Sequence, residues 1–435
     1  MVFLGALLGP LDGSVNVAFP AIIERFALSI ADIQWIIIPF IIAQSCCALV
    51  AGKLGDLYGH RRVFQVGLAC AALAHLACGF ATTYPMLVGM RIAQGVAVGI
   101  AIACAPALAT LMFPPEQKRR VLALYLMLLG IGFVLGPIAG GFVLAAAGWP
   151  GVFWFRVPIA LAALALSLGL PAPAHERTHR PRLDFGGALL LTIALASLVL
   201  ASSLARTGAL AFALTLALAG VAASIAFVRH EAAFAEPILR VATFRERGFA
   251  ALQGAAVAIN LASFAIFLLM PFALATRAGY SALGSGALLA LHPAGAILVN
   301  AYVGWRGGGI ASLVLVRAGM FLAAAGIAAV GGAIALEASL ALIGATFFVA
   351  GLGLGLFQIG YTDATTSMLP LADRGVAGSL VNVTRLVGLV FGATGILGLH
   401  QAAGDDYAWT FALCGGALAL FALGIESSLR TRRDP

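Results

Sequence analysis

The sequence predicts an all-α integral membrane protein of fourteen transmembrane helices, and three observations lead there. Of 435 residues, 62% are hydrophobic and 10% charged, against roughly 25% charged in soluble globular chains. Apolar stretches of the length a bilayer demands, about 20 residues, recur from end to end, and the short loops between them hold most of the charge. Strand-like alternation at period 2 is absent, which argues against a lipid-facing barrel. In lipid the backbone must satisfy its own hydrogen bonds, and that leaves helices.

In order, the expected spans are 2–23, 34–54, 63–82, 85–107, 121–146, 152–170, 185–204, 208–228, 249–272, 284–303, 310–333, 339–361, 376–400 and 408–428. The shortest turns, 82–85 and 147–151, force antiparallel neighbours. With the N-terminus in the cytoplasm, the inner loops hold 18 basic residues, including Lys53, Arg61, Arg62, Arg180 and Arg430, while the outer loops hold 3, Arg25, Arg206 and Arg277. That bias follows the positive-inside rule and places both termini in the cytoplasm. Four arginines, Arg91, Arg156, Arg317 and Arg385, fall inside spans.

Two longer loops, 171–184 and 229–248, bracket two helices almost free of ionisable groups. The organisation reads as a six-helix half (1–170), two inserted helices with cytoplasmic flanks (171–248) and a second six-helix half (249–435). Repeated halves with a substrate site between them near the bilayer midplane are a common transporter plan.

Composition also excludes. The net charge of +8 is dispersed over many loops and makes no basic face with interleaved aromatics, so no nucleic-acid partner is expected. Cys46, Cys47, Cys70, Cys78, Cys104 and Cys414 sit in apolar runs without a metal-ligand spacing and read as small packing residues. The first apolar stretch contains Asp12 and has no charged lead, so no cleavable signal peptide is expected. Only Lys53 and Lys118 are lysine among 25 basic residues, a bias that with the abundant Ala and Gly suggests a GC-rich bacterial genome and hence a bacterial cytoplasmic (inner) membrane. A phosphate-binding G-x-x-x-x-G-K-[ST] loop is missing, so ATP drive is unsupported. Neither a nucleophile–base motif nor a metal cluster appears, and no cofactor is expected beyond a proton gradient.

Four motifs carry chemistry. "LDGSVNVAFPAI" (11–22) puts Asp12 about halfway through a span, where a carboxylate costs about 2.5–3.5 kcal/mol on insertion scales and marks a functional position by default. "LVGMRIAQGVAVG" (87–99) adds Arg91 and Gln94; a purely structural Asp12–Arg91 ion pair is the plain alternative. "GKLGDLYGHRRVF" (52–64) can turn tightly at Gly52, Gly55 and Gly59, and sets Asp56 beside Arg61 and Arg62. In "GIGFVLGPIAGG" (130–141), Gly132, Gly136, Gly140 and Gly141 allow close helix packing, and Pro137 removes a backbone hydrogen bond.

Together these stretches resemble the major facilitator superfamily, and within it the fourteen-helix drug:proton antiporters. Gly52, Leu54, Gly55, Asp56, Gly59, Arg61 and Arg62 fall on its signature loop, which in the family latches the halves on the cytoplasmic side; by resemblance Asp56 lies near the start of the thirteenth span. Gly132, Gly136, Pro137, Gly140 and Gly141 match the antiporter motif without a gap. Asp12, Asn16, Ala18 and Pro20 match the first-helix motif, and Arg91, Gln94 and Gly95 the fourth-helix motif, whose arginine is tied to proton coupling. "EPILRVATFRERGF" (236–249) and "GSLVNVTRLVGLVFG" (378–392), the latter with Arg385, resemble later segments, so the likeness covers essentially the whole chain.

Departures are specific. "VGWRGGGIAS" (303–312) lacks the acidic residue and basic run of the second signature loop, and Arg156 in "FWFRVPIA" stands where the subfamily has asparagine. The chain also begins almost inside its first span, which suggests a trimmed or misassigned start.

The resemblance implies a proton-coupled secondary exporter of small, lipophilic or drug-like molecules, a multi-pass protein working as a monomer. Asp12 and Arg91 are the proton-coupling candidates, and Asn16, Gln94, Asp363 and Arg385 the substrate or cavity candidates. For Asp363 a solvated helix end, and for His75 and His292 packing or a backbone hydrogen bond, are the better readings. A metabolite or siderophore exporter, or a proton symporter of the same fold, stays open as the alternative. A polytopic enzyme would need clustered His, Asp or Glu at a membrane face, and a channel a filter loop or charge ring.

Overall fold

The computed structural model describes residues 2–111, 118–169, 184–206, 209–234, 244, 247–275, 281–306, 310–368 and 374–430. These residues form helices and no strand. The loop 171–183, with Arg177, Arg180 and Arg182, and much of the connectors 235–246 and 307–309 lie outside the described residues.

The first span is built from three short helices, α1 (Val2–Leu7), α2 (Gly13–Val17) and α3 (Phe19–Phe26), with a 3₁₀ turn at Pro10–Asp12. Gly9, Pro10 and Gly13 explain the first interruption, because proline lacks the donor and glycine holds the helix weakly. A second break at Ala18, just before Pro20, bends the chain by 59°. Then follow α4 (Gln34–Tyr58), α5 (His60–Gly79), α6 (Tyr84–Leu111), α7 (Lys118–Trp154), α8 (Arg156–Leu168), α9 (Phe185–Arg206) and α10 (Leu210–Ala233). The chain ends with α11 (Arg247–Ala275), α12 (Ala282–Arg306), α13 (Ser312–Ala335), α14 (Leu340–Met368), α15 (Arg374–Ala402) and α16 (Tyr407–Arg430).

Gly148, at φ +69°, makes the turn expected between the fifth and sixth spans inside α7. The residues after it run through Phe155, itself in right-handed helical geometry, into α8. Among the described residues, 11 helices are long and apolar enough to cross a membrane, 12 with the bent first segment. The two further expected spans are the 13-residue α8 and the 29-residue α15, neither in that set. The structure therefore supports 11–12 spans directly, and fourteen stays an expectation.

The chain divides into two compact units. The first comprises residues 1–196, 234–236 and 278–287, the second residues 197–233, 237–277 and 288–435. In the first, α6 packs between α4 and α5, and α5 also meets α8. Its core joins Leu8, Phe64, Leu68, Val98 and Ala101, all essentially without solvent exposure. In the second, α13 packs on α14 and α16, and α11 on α15 and α16.

Candidate functional site

Asp12 occupies the interruption of the first span, where the chain turns through 3₁₀ geometry instead of a continuous helix. Two arginines close on it. Arg91 of α6 grips it with both terminal nitrogens, Nη1 donating to Oδ1 at 2.7 Å and Nη2 to Oδ2 at 2.8 Å. Arg156, the first residue of α8, donates from Nη1 to the same Oδ1 at 2.6 Å. Arg91 is fixed further by donation from Nε to the Ile36 carbonyl at 3.0 Å, and its guanidinium lies 3.9 Å from the centre of the Phe40 ring. Such bidentate, stacked geometry is what arginine provides and lysine does not.

Gln94, one helical turn beyond Arg91, orders the rest. Its Oε1 accepts from Arg91 Nη1 at 2.8 Å and from the Cys78 thiol at 3.5 Å, while its Nε2 donates to Asp12 Oδ1 at 3.3 Å. The same Nε2 lies 3.4 Å from His75 Nε2, and His75 Nδ1 lies 2.5 Å from the Ala71 carbonyl. Since a carbonyl only accepts, His75 donates from Nδ1 and presents Nε2 as the acceptor of the Gln94 amide. The amide orientation of Gln94 is thus set from both sides.

The glycines of 130–141 explain how Asp12 is placed. Gly132, Gly136 and Gly140 recur every four residues and so share one face of α7. A Cβ on Gly132 would meet Leu7 and Pro10 at 2.8 and 2.9 Å, one on Gly136 the Pro10 carbonyl at 3.0 Å, and one on Gly140 the Ser14 backbone at 2.6 Å. The ladder therefore lies against the interrupted stretch that holds Asp12, with Gly13 against Pro137 and Ser14 Oγ donating to the Val152 carbonyl at 3.4 Å. On its other side, a Cβ on Gly141 would come within 2.4 Å of the Ala282 carbonyl, and one on Gly286 within 2.1 Å of the Pro137 carbonyl, so the first residues of α12 pack here too.

The loop at 52–64 is a reversal between α4 and α5 made by Gly59, at φ +95°. A Cβ on Gly55 would overlap His60, whereas Gly52 has open space. Arg61 Nη2 donates to the Leu168 carbonyl at 2.7 Å and Gln65 Nε2 to the Ser167 carbonyl at 3.0 Å, so this loop caps the C-terminal end of α8, where a cation is favoured. Arg62 is exposed. The expected contact of Asp56 with the thirteenth span lies outside the described side chains.

Other candidates are not gathered into this cluster. Asn16 is half-buried, one turn from Asp12, and its side chain makes no hydrogen bond among the described residues. Asp363 is exposed and accepts a hydrogen bond from Ser312 at the start of α13, in keeping with a solvated helix end. Arg385 is exposed, eleven positions into α15. His292 packs edge-on against Phe267 with ring centres 5.3 Å apart.

Two groups fall outside the sequence reading. It treats Arg156 as a departure from a pattern, while the structure puts Arg156 on Asp12; a cation within an apolar stretch is itself the available signal. The second is a neutral network. Tyr361 donates to Gln253 Oε1 at 2.6 Å and lies 2.8 Å from Thr384 Oγ1, and Gln253 Nε2 lies 3.5 Å from Thr365 Oγ1. Uncharged residues scattered over α11, α14 and α15 give no motif to find.

A span interrupted at a carboxylate is a device that secondary transporters use, their discontinuous helices carrying the binding groups. The sequence profile of the Major Facilitator Superfamily matches residues 1–393, and the chain belongs to that family of transporters; it is not an enzyme. It is 32% identical over 413 residues to the tetracenomycin C resistance and export protein of Streptomyces glaucescens, covering 92% of this chain and 75% of the relative. To the probable actinorhodin transporter of Streptomyces coelicolor it is 30% identical over 432 residues, 93% of this chain and 74% of that protein. Among solved structures, the peptide-transporter-family protein PepTSo superposes with a TM-score of 0.74 at 14% identity, over 100% of this chain and 98% of that one, a likeness of fold alone.

Proposed function

We propose that this protein is a secondary active exporter of drug-like molecules that exchanges its cargo for protons across a bacterial cytoplasmic membrane. The observation that carries the reading is Asp12, set in a broken span, gripped by Arg91 and backed by the glycine ladder of the antiporter motif. The relatives named as a tetracenomycin C resistance and export protein and a probable actinorhodin transporter support the cargo class. In this reading the chain works as a monomer with both termini inside, and two six-helix halves (1–170 and 249–435) flank two inserted helices (171–248).

All donors on Asp12 are N–H groups, so the conformation described accepts the charged carboxylate. A proton arriving at Asp12 competes with the arginines for the same oxygens. Proton binding therefore favours a conformation in which they have let go, and re-forming the cluster expels the proton. Because the two states differ in proton affinity, protonation and conformation are coupled. Substrate binding on the inside completes the exchange.

The test is substrate-induced proton release from reconstituted protein, screened over lipophilic cations, neutral drugs and metabolites. Release on adding a drug-like compound, together with its uphill movement when a proton gradient is imposed, is expected. Uphill movement of cargo in the same direction as protons would replace the antiporter with a symporter.

A further inference from the structure

The cluster around Asp12 contains two guanidiniums and one carboxylate, and the second guanidinium is only partly used. Arg91 spends three nitrogens on protein partners: Nε on Ile36, Nη1 on Asp12 and Gln94, and Nη2 on Asp12. Arg156 spends one. Its Nη1 reaches Asp12, while Nε and Nη2 are buried without a hydrogen-bond partner among the described residues. Those two nitrogens form one edge of the planar guanidinium, with parallel N–H bonds at the spacing of the two oxygens of a carboxylate.

Two cations against one anion leave an excess of +1, with His75, Gln94 and Cys78 around it carrying no compensating negative charge. Buried cations are costly unless paired, and an unmet N–H costs its full desolvation. The Arg156 guanidinium carbon lies over the rings of Phe153 and Phe155, 5.5 and 6.0 Å from their centres, so its apolar surroundings leave the idle edge as polar surface still to be met. Its side chain has 0% exposure, whereas that of Asp12 beside it has 16%.

We propose that the Nε–Nη2 edge of Arg156 is a substrate subsite that receives a carboxylate, and that the preferred cargo of this exporter is an aromatic or otherwise lipophilic organic acid. The inference rests on the exporter reading above and names its substrate class. The substrate carboxylate accepts one N–H from Nε and one from Nη2, cancels the excess charge and leaves Asp12 free to exchange its own partners. Since the Arg156 side chain has no solvent exposure here, an anion binds only a conformation that opens this edge. A ligand that binds one conformation alone shifts the population towards it, so the cargo itself promotes the transition.

The experiment uses the full chain, in detergent for binding and in liposomes for transport. Matched pairs are compared: 9-anthracenecarboxylate with 9-anthracenecarboxamide, and 1-naphthoate with 1-naphthamide. The acids should bind about tenfold or more tightly than the amides, as for a charge-assisted bidentate contact. Arg156→Lys keeps the charge and loses the fork, and Arg156→Asn loses both; each should bring the acid-to-amide ratio near one. A role in folding alone would lower acid and amide binding together and leave the ratio unchanged. Equal binding of acids and amides by the wild-type chain overturns the subsite, and this needs no variant to fold. Preference retained in Arg156→Lys overturns the fork, and inorganic phosphate binding alone as tightly as the acids overturns the substrate assignment. Uphill export of lipophilic cations without any preference for acids sinks this inference and leaves the exporter standing. Acid preference in binding without uphill movement of any compound sinks the exporter reading instead.

Discussion

Asp12 and Tyr361 each centre a buried polar cluster, one in each compact unit, and the two clusters rest on different physics. Around Asp12 everything turns on charge: two guanidiniums, a carboxylate and an amide whose orientation they dictate. Around Tyr361 a phenol, an amide and two threonine hydroxyls satisfy one another without any formal charge. Their backbones differ as well. Asp12 sits at the first of two breaks in the first span, whereas Gln253 lies in α11, an unbroken helix of 29 residues. A neutral network stabilises one packing and has little with which to answer a proton. A charged one in a broken helix is expensive at rest and can rearrange when a proton or an anion alters its balance. On the proposed mechanism, coupling belongs to the first unit and cohesion to the second.

The largest effect that would break this division is on stability. Asp12→Leu strands two buried guanidiniums and should destabilise the protein by about 3–5 kcal/mol, read as the shift of an unfolding midpoint in one fixed detergent. Arg91→Leu should cost less, because Arg156 still holds the carboxylate. If Arg91→Leu proves the more damaging, Arg156 is no real partner of Asp12 and the excess charge is resolved elsewhere.

Next comes the glycine ladder. The Cβ of any residue at position 140 would stand 2.6 Å from the Ser14 backbone, and backbone cannot swing away. Gly140→Leu should cost roughly 1–3 kcal/mol by overpacking and abolish export while the chain still inserts. Gly136→Leu should act alike and more mildly, its nearest neighbour being 3.0 Å away. Export at normal rate in either variant would show that the position of the first span does not matter for coupling.

The smallest effect belongs to the second unit. Tyr361→Phe removes one hydroxyl shared by Gln253 and Thr384 and should lower stability by about 1 kcal/mol, with proton release per substrate unchanged. Loss of coupling without loss of stability would reverse the roles assigned to the two clusters.

What the sequence reveals follows from what it encodes locally. Span positions, the turn at Gly148 and the reversal at Gly59 are readable because apolar length and glycine act within a few residues. Asp12 and Arg91 are readable because buried charge in a membrane is rare, Gln94 because its stretch resembles the fourth-helix motif, and the structure brings the three together. Arg156 carries the same signal, yet its partner is 144 positions away and no local pattern joins them. That Gly132, Gly136 and Gly140 lie on the very stretch holding Asp12 is likewise a tertiary fact; the spacing shows a small-residue face and not what it faces. The Tyr361 network stays hidden because hydroxyls and amides in a span are common and inexpensive beside charges.

The most direct measurement compares two modes of transport by Asp12→Asn in proteoliposomes. Asparagine keeps the size and one acceptor oxygen but cannot take up a proton. If Asp12 carries the coupling proton, uphill export driven by an imposed proton gradient is lost, while downhill exchange of labelled for unlabelled substrate persists. Uphill export by Asp12→Asn at the wild-type rate would contradict that role and leave the Asp12–Arg91–Arg156 cluster a structural one.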